Sequence, residues 1–224
     1  MSLSQSSLSP NQPVSLPPST VRTRSVILTS MLFLVLILGA FIIRWLTFER
    51  YLPYLDYGDE GVPFVIALNW RGLENNAYVA QRYAGYPPAY VLVNMGVQRL
   101  GELFAPRPWV LPTEHIYNLR LLAVVVGVVT TLVIANIGWQ LAGPSAGWLA
   151  GFVWAFAPII VEHNSLALPD PFVYLTCAVA VAAALRACIK KSPWWLTVSL
   201  ISGILAIYFK LWPIHALVPW GLVA

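Results

Sequence analysis

The chain is dominated by apolar runs of membrane-crossing length, each bounded by charged or turn-forming residues. They are Val26–Ile43, Leu121–Leu141, Trp148–Val161, Phe172–Ala187 and Trp194–Phe209, and a further run opens at Pro213. Val26–Ile43 alone, at about 1.5 Å of rise per residue, nearly crosses a hydrocarbon core of about 30 Å. Only 10% of the 224 residues are charged and 58% are hydrophobic, against about 25% charged in a soluble domain. The expected fold class is therefore all-α, a polytopic transmembrane helical protein with an external loop carrying juxtamembrane helices.

Residues 1–21 are rich in Ser, Pro and Gln and hold no charged side chain. They are expected to be disordered, as part of a cytoplasmic tail over residues 1–24. Residues 25–224 are expected to form one transmembrane domain. Val26–Ile43 is long for a signal peptide, and no small-residue cleavage site follows it, so it is read as an uncleaved anchor. Arg22 and Arg24 before it put the N-terminus in the cytoplasm. The chain stops inside an apolar stretch, ALVPWGLVA, and is read as the N-terminal part of something longer. Cys177 and Cys188 fall in or beside one apolar run and suggest no disulfide framework.

Charge also fixes the expected topology. Arg22/Arg24 and Arg186/Lys190/Lys191 are the strongest basic clusters flanking spans. Both belong on the cytoplasmic side, so an even number of spans separates them. Val26–Ile43, Leu121–Leu141, Trp148–Val161 and Phe172–Ala187 make that count four. Pro87–Phe104 would make it five. It also carries Asn94, Gln98, Arg99 and Glu102, which are costly in hydrocarbon. It is therefore read as an amphipathic helix lying on the surface. The interval 44–120, Asp170 and Lys210 then all meet the outer face. The AGPSAG turn on the other face has no ionisable group.

The polar interval holds the densest group of acids: Asp56, Asp59, Glu60 and Glu74. Asp56, Asp59 and Glu60 stand at i, i+3, i+4, so on a helix they share a face. Such a cluster can raise one carboxyl's pKa to make a base, hold a divalent cation, or simply face water. Asp170, in LPDPF, suits a helix N-cap before Pro171 and equally a site at the outer surface. Lys210, beside Tyr208, Phe209 and Trp212, reads as a snorkelling interfacial lysine or as a cation for a lipid phosphate. Arg120 reads as an interfacial anchor or a phosphate contact. Glu162 and His163 are a weak metal signal, and His115 and His215 stand isolated. No Gly-rich phosphate loop, placeable Ser-His-Asp set, metal-spaced Cys pair or cytoplasmic Asp-x-Asp motif is present. The net charge of +4 is too small and scattered to suggest nucleic acid.

The ordered set Asp59-Glu60, Tyr86-Pro87-Pro88, Arg120-Leu121, Asp170 and Lys210 resembles the N-terminal half of the GT-C glycosyltransferases. It looks in particular like the branch containing the protein O-mannosyltransferases and the lipid A aminoarabinose transferases. The resemblance implies an inverting transfer from a polyprenyl-phosphate sugar to a glycan, lipid or protein acceptor, at the outer face of a plasma (inner) membrane. It implies Asp59 as general base, with Glu60 beside it in the catalytic pair. Asp170, Lys210, Arg120, Asp56 and Tyr86 are implied as substrate contacts, Lys210 stabilising the leaving phosphate. Tyr86 stands where the family more often has His, so any role of that His is missing. No cofactor is required by this reading, though the acids leave room for a divalent cation. The rival readings are a non-catalytic membrane scaffold or degenerate relative, and a transporter subunit. The near absence of ionisable residues inside the spans counts against transport.

Overall fold

A computed structural model describes residues 18–49, 58–75, 77–82, 86–104 and 112–210. Among them the chain is entirely helical in its regular structure. The helices are α1 (Pro18–Phe48), α2 (Gly58–Trp70), α3 (Ala77–Arg82), α4 (Pro88–Phe104), α5 (Pro112–Ala142), α6 (Pro144–Phe156), α7 (Pro158–His163), α8 (Asp170–Lys190) and α9 (Pro193–Phe209). Ile27–Phe48, Glu114–Ala142 and Asp170–Lys190 are long and apolar enough to cross a membrane, and Pro193–Phe209 is a shorter apolar helix. The chain is thus a helical membrane protein. Its lipid-facing character shows on α1, where Leu28, Met31 and Val35 are each more than 60% exposed.

Contacts between helices fix their directions. Phe33 stacks on Trp139 and Phe48 meets Tyr117, so α1 runs antiparallel to α5. The turn at Gly143, which uses a left-handed φ of 86°, reverses the chain into α6 with Pro144 at its start. Gly138 and Gly147 let these backbones touch: a Cβ on Gly147 would lie 2.7 Å from the Ala135 carbonyl oxygen. Phe172 packs beside Tyr90 and Val126, and Arg186 approaches Asn136, so α8 runs parallel to α5. The Ser199 hydroxyl donates to the Ala180 carbonyl at 2.8 Å and Phe209 stacks on Phe172, so α9 returns antiparallel to α8. The ends of α1 and α9 therefore meet the start of α8 at one end of the bundle. The Gly143 turn and Lys190 lie at the other.

Several expected boundaries shift. The helix of the first span begins at Pro18, inside the stretch read as disordered. It continues to Phe48, past the expected loop start at Arg44, which is buried within the bundle and anchored there through one nitrogen. Its Nη1 donates to the carbonyls of Ala40 and Ala155 at 2.9 and 3.2 Å. The expected span Trp148–Val161 is two helices. The break falls at Ala157, whose backbone is extended before Pro158, as a proline demands of the residue before it. The α6–α7 pair still runs back along α5, from the Gly138–Gly147 contact to Asn164, which packs against Gly127.

Helix α4 reverses the expected amphipathic arrangement. Its polar residues Asn94 and Gln98 are buried, while Leu92, Leu100, Leu103 and Phe104 are more than half exposed. The reason is local pairing. Asn94 bonds the Tyr90 carbonyl and His115, and Gln98 accepts from Arg71 at 2.9 Å. Asn94 and Gln98 are thus satisfied by protein, while Arg99 and the apolar edge stay exposed.

Candidate active site

Glu60 lies in the first turn of α2 and is fully buried. Its carboxylate takes a two-pronged contact from Arg120, Nε to Oε1 at 2.8 Å and Nη2 to Oε2 at 2.6 Å. Arg120 is itself fully buried, well inside α5, and its Nη1 donates to the Phe48 carbonyl at 2.8 Å. The Ala167 backbone N–H donates to Glu60 Oε1 at 2.6 Å. One ion pair therefore ties α2, α5, the C-terminus of α1 and the loop before α8. Arg120 is not an exposed interfacial anchor: its charge is neutralised inside the protein, the condition under which a buried guanidinium is tolerable.

Asp59 is the neighbour of Glu60 but is exposed. Consecutive helical residues are turned by about 100°, so inward Glu60 leaves Asp59 pointing out of the clamp. The expected single acidic face is thus divided between a buried and an exposed carboxylate. Asp56 lies outside the described residues. Tyr86 packs on the cluster of Ile66, Ala67 and Val91. Burial pushes its phenol well above the usual range, and the carboxylates of Asp59 and Asp170 add to the shift. Tyr86 is therefore a protonated hydroxyl in the electrostatic reach of both acids.

Asp170 does not cap α8. Pro169 takes the cap position with a helical backbone, and Asp170 is the first helical residue. Its carboxylate instead accepts from Lys210 Nζ at 2.7 Å, with the two side chains 12% and 27% exposed. The pair is well matched to its helix ends, an anion at the start of α8 and a cation at the end of α9. Lys210 therefore faces Asp170 rather than snorkelling alone.

Glu162 and His163 do not converge on a metal: His163 Nδ1 pairs with the Tyr174 hydroxyl at 2.9 Å, and Glu162 borders an apolar cavity of about 320 Å³ with Thr47, Phe156 and Ser165. Among the described residues, no group of three or more His, Cys, Asp or Glu side chains could hold a metal ion. His115 is buried and meets Asn94 at 3.1 Å, and His215 lies outside the described residues. Reading the sequence missed Arg44, which is fully buried, with Nε and Nη2 lacking partners among the described residues. Only its place after an apolar run hinted at a loop, and nothing local distinguishes a loop arginine from a buried one.

Comparison with known proteins bears on the half of the chain that holds Arg120, Asp170 and Lys210. Residues 111–221 match the family model described as dolichyl-phosphate-mannose-protein mannosyltransferase. No curated protein and no solved structure matches the chain. Asp59, Glu60 and Tyr86 lie before the matched stretch and are joined to it through the Glu60–Arg120 pair. Residues 111–221 thus carry a domain of the dolichyl-phosphate-mannose-protein mannosyltransferase family, consistent with a fragment of a GT-C glycosyltransferase.

Proposed function

We propose that the protein transfers a sugar from a polyprenyl-phosphate donor to an acceptor hydroxyl at the outer face of the membrane, its N-terminus being cytoplasmic. The observation that carries this reading is the pairing of an exposed carboxylate, Asp59, with a buried one, Glu60, whose three hydrogen bonds, two from Arg120 and one from the Ala167 N–H, hold the helix turn they share. A base must be reachable by substrate yet held in place, and this arrangement meets both needs.

In this reading Asp59 takes the proton from the acceptor hydroxyl as its oxygen attacks the anomeric carbon. The bond between that carbon and the phosphate oxygen breaks, and the electron pair leaves with the lipid phosphate. Lys210 is assigned to meet that developing charge, a role its pairing with Asp170, which would orient the ammonium, supports. Glu60 and Arg120 position Asp59 rather than touch substrate. Tyr86 offers a hydroxyl donor to the acceptor, and Asp56 is assigned to the acceptor side. Residues 44–120 form the acceptor-side segment and 25–224 the transmembrane domain.

The test is sugar transfer by the full-length protein from polyprenyl-phosphate mannose. Asp59→Asn is expected to lower kcat by about 10²–10⁴, the usual share of a general base, without altering helical content. Lys210→Met should lower it while Asp170→Asn, which keeps the lysine and removes one of its partners, lowers it less. Full activity in Asp59→Asn would sink this reading and favour a scaffold.

A further inference from the structure

At the end of the bundle away from Asp59, helices α5, α8 and α9 enclose a groove of about 300 Å³. Its walls are aliphatic, with Val133, Val179 and Val198 among them. Val129 on its rim is 41% exposed, so the groove communicates with the surroundings of the bundle. At its head stands Arg186, one turn before the end of α8. The guanidinium lies over the Trp195 ring, 4.8 Å from its centroid. Its polar contact is a long one, Nη2 to Asn136 Oδ1 at 3.4 Å. That oxygen is already taken by Gln140 Nε2 at 2.6 Å. A guanidinium carries five N–H donors, so most of its capacity is not used by these contacts.

Arg186 forms no ion pair among the described residues. The nearest acid along the chain, Asp170, lies 16 residues before it, at the opposite end of α8. All nine acids are Glu49, Asp56, Asp59, Glu60, Glu74, Glu102, Glu114, Glu162 and Asp170. Every one belongs to the interval after α1, the start of α5 or the segment leading into α8. Five cations, Arg22, Arg24, Arg186, Lys190 and Lys191, belong to the start of α1 and the end of α8. A half-buried cation at the edge of a hydrocarbon layer favours an anion beside it, and none of the described acids pairs with Arg186.

We propose that this groove binds an anionic glycerophospholipid. The headgroup phosphate accepts from Arg186 and from the Asn136 amide. A length of acyl chain lies along Val133 and Val179, and Trp195 marks the level of the interface. Arg186, stacked and aimed along the groove, selects the phosphate, whereas Lys190 and Lys191 only add surface charge. This inference is independent of the catalytic reading.

The full chain, reconstituted in nanodiscs of equal parts phosphatidylglycerol and phosphatidylcholine and released for native mass spectrometry, tests it. The wild type should retain a phosphatidylglycerol in preference to phosphatidylcholine. Arg186→Gln should lower that retention about tenfold, as expected for loss of one strong contact. Val133→Phe fills the groove while leaving the arginine, and should also lower it. Lys190→Gln/Lys191→Gln should retain lipid as the wild type does. Retention of the two lipids in their bulk ratio, undiminished phosphatidylglycerol in both Arg186→Gln and Val133→Phe, or a retained polyprenyl phosphate instead would each overturn the proposal. Thermal unfolding of each variant separates a misfolded protein from one that has lost the site. If Arg186→Gln fails to fold, Val133→Phe alone decides.

Discussion

Replacing Glu60 by Gln isolates what the buried ion pair does. Gln keeps the volume of Glu, so no cavity opens. Its carbonyl oxygen can still accept from the Ala167 N–H and from Arg120 Nε, which lie 2.6 and 2.8 Å from Oε1. Its amide nitrogen, however, replaces Oε2 and turns N–H donors toward Arg120 Nη2, now 2.6 Å from that atom. One charge-assisted bond becomes a donor–donor clash, and a fully buried guanidinium loses its counter-charge. Breaking a buried pair in this way costs about 3–5 kcal/mol. Asp59→Asn, one residue earlier, alters an exposed carboxylate with no hydrogen-bond partner among the described residues, and should cost no more than about 0.5 kcal/mol.

The assay is the free energy of unfolding in mixed micelles titrated with a denaturing detergent, read by far-ultraviolet circular dichroism. Arg120→Met should cost about as much as Glu60→Gln, since it strands the carboxylate in turn. The double variant should cost less than the sum of the two by roughly 1–3 kcal/mol. Equal losses for Asp59→Asn and Glu60→Gln, or strictly additive losses at 60 and 120, would refute the division into an outward base and an inward clamp.

Other expectations follow from the same structure. Gly127→Ala places a methyl 2.8 Å from Arg44 Nε and 2.9 Å from Asn164 Cβ, so it should destabilise by about 1–3 kcal/mol in the same titration. Tyr86 holds its proton above the ordinary phenol value of 10.0. Its raised folded pKa means that the folded state binds more protons than the unfolded one above that value. The stability it contributes is then fully present below about pH 10 and is lost as pH rises further; Tyr86→Phe should flatten that alkaline loss in unfolding measured from neutral to strongly basic pH. With Cys177 and Cys188 replaced, single cysteines at exposed Asn75 and Lys191 report topology in intact cells: an impermeant thiol reagent should label position 75 and spare 191. The reverse pattern would turn the proposed site toward the cytoplasm.

The helical bundle was legible because hydrocarbon length and flanking charge act over contiguous residues. The return pass between α5 and α8 persists across the break at Pro158, since α6 and α7 together run back along α5 and bring Asn164 to Gly127. That break itself came from a single proline within an apolar run, which hydropathy alone passes over. The polarity of α4 was less accessible. Asn94 and Gln98 look like a water-facing edge until their partners Arg71 and His115, which lie on other elements, are known.

The same limit separates Asp59 from Glu60. Spacing treats both as members of one acidic cluster, because i, i+3 and i+4 positions describe neighbours along a helix and not partners across the bundle. What distinguishes the two is Arg120, 60 residues away in sequence. An arginine that opens an apolar run usually marks a membrane boundary, yet here the helix begins earlier, at Pro112, and carries Arg120 into the protein interior. The cost of burying that charge requires a carboxylate in contact, and the contact selects Glu60. Once Glu60 is committed to Arg120, Asp59 is the carboxylate of that helix turn left for solvent or substrate. The proposal of Asp59 as base therefore rests on where its neighbour's charge is neutralised, a relation between distant residues that composition and spacing cannot express.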